Sequence, residues 1–135
     1  MKFKHEKDKM FFSLLHPAII MIYADLFLYA KEKHNLDLVI TQTISTPEED
    51  KALGRVSDAH RTARAIDVSV KGMDKTQIYD LCNYINTRWV YKKYHYMSNN
   101  GAYRLAYYHV GSAPHIHLAI HKKFAQNISM LASAN

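Results

Sequence analysis

Two short stretches hold the residues best suited to chemistry. In SDAHRTARAID, residues 57–67, His60 and Asp67 stand seven apart, and in APHIHLAI, residues 113–120, His115 and His117 alternate. Imidazole nitrogens and carboxylate oxygens are the donors that a borderline divalent ion such as Zn²⁺ takes. Histidine is also the side chain that moves protons near neutral pH. Taken one at a time, a loop histidine is an ordinary surface residue and alternating strand histidines are an ordinary polar face, so the case rests on their combination.

Strand geometry supplies that combination. RAIDVSV, residues 64–70, alternates, so Ala65, Asp67 and Ser69 share one face while Ile66, Val68 and Val70 share the other. In HIHLAIH, residues 115–121, His115, His117, Ala119 and His121 share a face opposite Ile116, Leu118 and Ile120. The apolar sets belong to a core, which turns Asp67 and His117 to the other side. If the strands are neighbours, Asp67 and His117 project together, and His60, on the loop before the first strand, folds back over them. Three protein ligands with a fourth position open make a catalytic zinc arrangement.

The remaining elements must carry these strands. Pro17 suits a helix N-terminus, and Ile19, Ile22, Leu26 and Tyr29 recur at helical spacing, which predicts a helix over 17–34. LDLVITQT, residues 36–43, alternates as a strand; residues 45–60 form a loop with a turn of helix at 47–53. Asp74 and Gln77 have capping-box spacing ahead of Ile78, Leu81, Cys82 and Ile85, which predicts a helix over 75–86. The aromatic segment 89–110 reads as two strands joined by a turn at Asn99, Asn100 and Gly101. Residues 1–12 are expected to form a loose arm and 123–135 a polar tail. The sum is one α+β domain over 1–135: a mainly antiparallel sheet flanked by two helices.

Composition narrows the class. With 48% hydrophobic and 22% charged residues, the chain reads as a globular domain. Cys82 is the single cysteine, which excludes an intrachain disulfide and a cysteine-based zinc finger; a small apolar helix residue is its expected role. AIIMIYADLFLYA, residues 18–30, is the longest apolar run, too short for a bilayer and interrupted by Asp25. It also lacks the position and cleavage site of a signal peptide, so synthesis in a (host) cytoplasm is expected, with action on its target after release or as part of a virion. Net charge is +6, and no Asp or Glu follows Asp80. That asymmetry suits an anionic partner. Nucleic acid would explain the charge but leaves the His/Asp phasing to chance, so no nucleic-acid partner is expected.

His60-x-x-Ala63-x-Ala65-x-Asp67 resembles the His-x-x-Gly-x-Ala-x-Asp motif of LAS-type zinc peptidases, the superfamily of D-Ala-D-Ala carboxypeptidases, phage L-alanyl-D-glutamate endolysins and the hedgehog signalling domain. Pro114-His115-Ile116-His117-Leu118 resembles their second motif, and the element order from about residue 14 to 121 follows theirs. The resemblance implies the LAS/hedgehog-like zinc peptidase fold and Zn²⁺ held by His60, Asp67 and His117. It also implies a peptide of bacterial peptidoglycan as substrate, as in a phage-encoded cell-wall endopeptidase. The alternative reading is a catalytically silent zinc domain that binds the wall or a protein partner.

Three departures from the pattern mark where the chemistry must differ. Relatives place an acid shortly before the last ligand as general base, where this chain has Gly111, Ser112 and Ala113. The base must then be a histidine, first His115 and next His109, or an acid from the first 80 residues. Relatives also tend to carry an arginine after the first strand, where Ser45-Thr46 stands; Arg61 or Arg64 is the candidate replacement for holding a substrate carboxylate. Tyr103, Tyr107, Tyr108 and Trp89 could wall a substrate groove or stabilise an oxyanion, Tyr108, beside His109, first among them, although most of these aromatic residues are expected to cover the sheet. Ala63 replaces the usual glycine, a mild exchange provided that its φ is negative.

Overall fold

A computed structural model of the chain describes residues 1–91, 104–111, 113–124 and 128–130. The chain is α+β, with helices α1 (Glu6–Phe11), α2 (Pro17–His34), α3 (Pro47–Ala52) and α4 (Lys75–Arg88). Strands β1 (Lys2–Phe3), β2 (Val39–Gln42), β3 (Ala65–Ser69), β6 (His115–Ala119) and β5 (Ala106–His109) form one sheet in that spatial order. β1 runs parallel to β2, and every other neighbouring pair is antiparallel, so the sheet is mixed. β4 (Trp89–Tyr91) and β7 (Ile128–Met130) form a separate two-stranded pair.

Alternation makes the sheet two-faced. Ile40, Ile66, Val68, Ile116 and Leu118 are fully buried on one face, where they join Ile19, Ile22, Leu26, Ile78, Leu81 and Ile85 of α2 and α4 in one core. Each long helix is closed at its ends by its own sequence. His16 Nδ1 accepts from Ala18 N–H at 3.1 Å with Pro17 behind it, and Asn35 turns left-handed at φ 52° to end α2. Asp74 and Gln77 form the reciprocal cap of α4, with bonds of 2.8 and 3.0 Å. Asp25, the break in the apolar run, ties the helices together: it accepts from Tyr84 Oη at 2.9 Å, Arg88 Nε at 2.7 Å and Trp89 Nε1 at 2.8 Å. Tyr29 stacks on Tyr84 with ring centroids 3.7 Å apart. Cys82 is buried in this core, which pushes its thiol up to about 12. Among the described residues, no helix is long and apolar enough to cross a membrane.

Four sequence expectations need correction. Residues 1–12 are not a loose arm. β1 pairs with β2, α1 follows, Phe3 packs edge-on against Phe12 at 5.7 Å, and Asp8 is fully buried. The charged composition concealed two aromatic anchors and one buried carboxylate. Among the described residues, β4 pairs with β7 and β5 with β6 rather than with each other, and the expected turn at 99–101 lies outside the described residues. β7 in turn places a strand inside the expected polar tail. The second strand begins at Val39 rather than 36, because Leu36 N–H is taken by Ala30 carbonyl as the chain leaves α2.

Candidate metal centre

The polar face of the sheet collects the chemistry. Register sets Asp67 of β3 directly opposite His117 of β6 and Ser69 opposite His115. On the other side of β6, Tyr107 of β5 lies opposite His117 and His109 opposite His115. The period of two that buries Ile66, Val68, Ile116 and Leu118 therefore raises Asp67, His115, His117, Tyr107 and His109 on one surface.

His60 reaches this surface through a tight turn. Thr62 N–H and Oγ1 both return to Asp58 carbonyl, at 2.9 and 2.8 Å, and Ala63 N–H donates to His60 carbonyl at 3.1 Å. Ala63 then adopts φ 60°. The condition of a negative φ is not met: the chain reverses here to enter β3, and an alanine carries a left-handed conformation at about 1–2 kcal/mol. The exchange of glycine for Ala63 is therefore not mild.

The ligand atoms converge. A nitrogen from each of His60 and His117 and an oxygen of Asp67 lie within 4.8 Å of one another, with His60 and Asp67 buried. His60 Nδ1 lies 2.7 Å from Thr43 carbonyl, so it carries a proton and donates, and Nε2 is the nitrogen that faces Asp67 Oδ1 at 3.1 Å. Thr43 is itself held, since its N–H and Oγ1 donate to Asp8 Oδ1 at 2.8 and 2.7 Å. This relay from α1 through Thr43 to His60 is the kind of support that fixes a ligating imidazole. His117 Nδ1 lies 2.8 Å from the same Asp67 oxygen.

Electrostatics keep Asp67 ionised. Burial alone would push its carboxyl up, but hydrogen bonds from His117 and His60, with the charge of His60 and His115, hold it far below the usual carboxylate range. Arg55 adds to this: its Nη2 lies 3.3 Å from Asp67 Oδ2 and also bonds Gln42 Oε1, while its Nη1 lies 3.3 Å from Asp50. Two imidazole nitrogens that face an ionised carboxylate, and that can give up a proton to an arriving cation, fit a divalent ion.

His115 stands beside this set without completing it. Its Nδ1 lies 2.9 Å from Ala113 carbonyl, which takes the Nδ1 proton and leaves Nε2 as the acceptor nitrogen, 3.5 Å from Asp67 Oδ1. His109 stacks on His115 with centroids 5.0 Å apart and planes 10° from parallel. Burial, followed by the neighbouring His115 and His117, lowers the pKa of His109. Burial and the charge of Asp67 raise that of the Tyr107 phenol.

These residues floor an open cleft of about 1180 Å³ whose walls include Lys4, His5, Lys7, Glu49 and Arg55. Three of the expected substrate contacts lie elsewhere. Arg61 is largely exposed and pairs with Asp50 at 3.5 Å. Arg64 braces the back of the motif loop, donating to Asp58 at 2.8 Å, to Thr62 and to Ile120 carbonyl. Tyr108 is on the helix-covered face, opposite Ile116, with its ring edge-on to Tyr79 at 6.2 Å. Its neighbour Tyr107 takes the cleft position, its ring 5.2 Å from that of His117. Strand alternation puts Tyr107 and His109 on one face and Tyr108 on the other, so the period of two already contained this answer. Arg55 had no such signal: only the folding of the α3 loop brings it to Asp67.

Searches against protein-family models, curated proteins and solved structures find no match for this chain.

Proposed function

We propose that this chain is a Zn²⁺-dependent peptidase that hydrolyses peptides of bacterial peptidoglycan. The observation that carries the reading is the meeting of His60, Asp67 and His117 on the floor of an open cleft, with the bare Nε2 of His115 alongside. Zn²⁺ in such a seat supplies a Lewis acid that polarises a carbonyl and acidifies water. His115 serves as general base: the Ala113 carbonyl fixes its tautomer, so Nε2 is free to accept a proton. Arg55, Lys4 and Lys7 line the cleft with positive charge, which suits the carboxylates of a wall peptide. Arg55 takes the carboxylate-holding role first assigned to Arg61 or Arg64, because its guanidinium reaches the ligand set.

A second reading, a metal-holding module that binds wall peptide without cutting it, has one observation in its favour. The cleft's other carboxylates are committed, Asp8 to Thr43 and Glu49 to Lys7 at 2.9 Å and Gln42 at 3.3 Å. Hydrolysis of purified muropeptides with and without Zn²⁺ separates the two. Zinc-dependent cleavage, lost in His60→Ala and in His115→Ala while the latter keeps its zinc, supports the peptidase. Tight zinc and peptide binding with no cleavage supports the module.

A further inference from the structure

Three histidines of the same surface form a group in which His60 and Asp67 take no part. His109, His115 and His117 each present one nitrogen, and these atoms all lie within 4.8 Å of one another. Strand pairing puts them there. His115 and His117 are two apart on β6, and His109 is the direct partner of His115 on β5. His109 stacks on His115, and its ring stands edge-on to His117 with centroids 5.5 Å apart. His115 Nδ1 bonds the Ala113 carbonyl at 2.9 Å, which leaves Nε2 as the nitrogen available to an ion. His109 is exposed and His115 half-buried, so the group opens to solvent at the edge of the cleft.

We propose that His109, His115 and His117 form a second, all-nitrogen seat for a transition-metal ion, alternative to the first because both use His117. Three imidazoles and no carboxylate suit Cu²⁺ and Ni²⁺, which lie high in the affinity order for nitrogen donors. Asp67 gives the first seat an anionic oxygen, so the two differ in ion preference as well as position. Competition for His117 and repulsion between two divalent cations at this separation limit occupancy to one ion at a time. An ion in the second seat engages His115 and His117 together, and so withdraws one ligand and the candidate base from the first.

The test uses Cu²⁺ alone with the full chain and reads binding rather than hydrolysis. His60→Ala disables the first seat and should still bind one equivalent of Cu²⁺, with nitrogen superhyperfine structure in its electron paramagnetic resonance spectrum from three imidazoles. Adding His109→Ala to that variant should weaken Cu²⁺ by at least tenfold. In the otherwise unchanged chain, His109→Ala should lower affinity for Cu²⁺ while leaving that for Zn²⁺ within about twofold, which keeps the test alive if His60→Ala fails to fold. Cu²⁺ affinity indifferent to His109 in both backgrounds overturns the second seat. Failure of the first seat shows separately, as loss of Zn²⁺ binding by the unaltered chain.

Discussion

Replacing Asp8 by alanine tests whether the N-terminal segment belongs to the site. Asp8 Oδ1 accepts from the N–H and Oγ1 of Thr43, at 2.8 and 2.7 Å, and both residues are fully buried. Hydrogen bonds to a charged group contribute about 1.5–3 kcal/mol each, so two bonds represent about 3–6 kcal/mol. Against this, Asp8 Oδ2 is buried without a hydrogen-bond partner among the described residues, and its removal returns about 1–3 kcal/mol. The net loss is about 3 kcal/mol, or about 10 °C in Tm for a domain of this size. Because Thr43 carbonyl holds His60 Nδ1 at 2.7 Å, affinity for Zn²⁺ should also fall, by about tenfold. Thermal unfolding followed by circular dichroism, with a zinc titration of the same variant, measures both, and Lys9→Ala at an exposed position of the same helix is the control. An Asp8→Ala protein melting within about 2 °C of the original, with unchanged zinc affinity, would refute the docked segment and the relay through Thr43.

Other outcomes follow from the same contacts. Asp25→Ala should cost about 3 kcal/mol in urea unfolding, because it leaves the Trp89 and Tyr84 donors and the Arg88 charge without their shared acceptor. Asp80 is held below the usual carboxylate range: burial opposes this, but hydrogen bonds from His34 and Tyr29 prevail. Its folded-state pKa is depressed, so its contribution is complete above the unfolded value and is lost as pH falls below about 4. The stability gap between the original and Asp80→Asn should therefore narrow between pH 5 and pH 2, and a constant gap would contradict the pairing. Arg55→Met should weaken binding of carboxylate-bearing wall peptides by about tenfold in a direct binding assay, whereas Arg61→Met should change it less than twofold. Tyr108→Phe should leave cleavage unchanged, while Tyr107→Phe, at the cleft position, should alter it.

What the sequence revealed divides along physical lines. Local signals were legible: Pro17, Asp74 and Gln77 mark the helix ends, and the period of two in RAIDVSV and HIHLAIH assigns each side chain its face. The convergence of His60, Asp67 and His117 followed from those phases once the two strands were taken as neighbours. Non-local pairings were not legible. Nothing in WVY and ISM announces that β4 and β7 are partners, and nothing in MKFKHEKDKM reveals that Asp8 is buried against Thr43. Tyr108 was misassigned by adjacency to His109, although neighbouring strand residues point to opposite faces. Arg55 depended on the path of a loop, which periodicity does not describe.

The metal seat is the claim on which the rest depends, and X-ray absorption at the zinc edge tests it most directly. With one equivalent of Zn²⁺ bound, the account predicts two imidazole nitrogens and at least one oxygen at bonding distance, and loss of that signature in Asp67→Ala. Failure to bind stoichiometric zinc, or a bound ion whose spectrum is the same with and without Asp67, would contradict it.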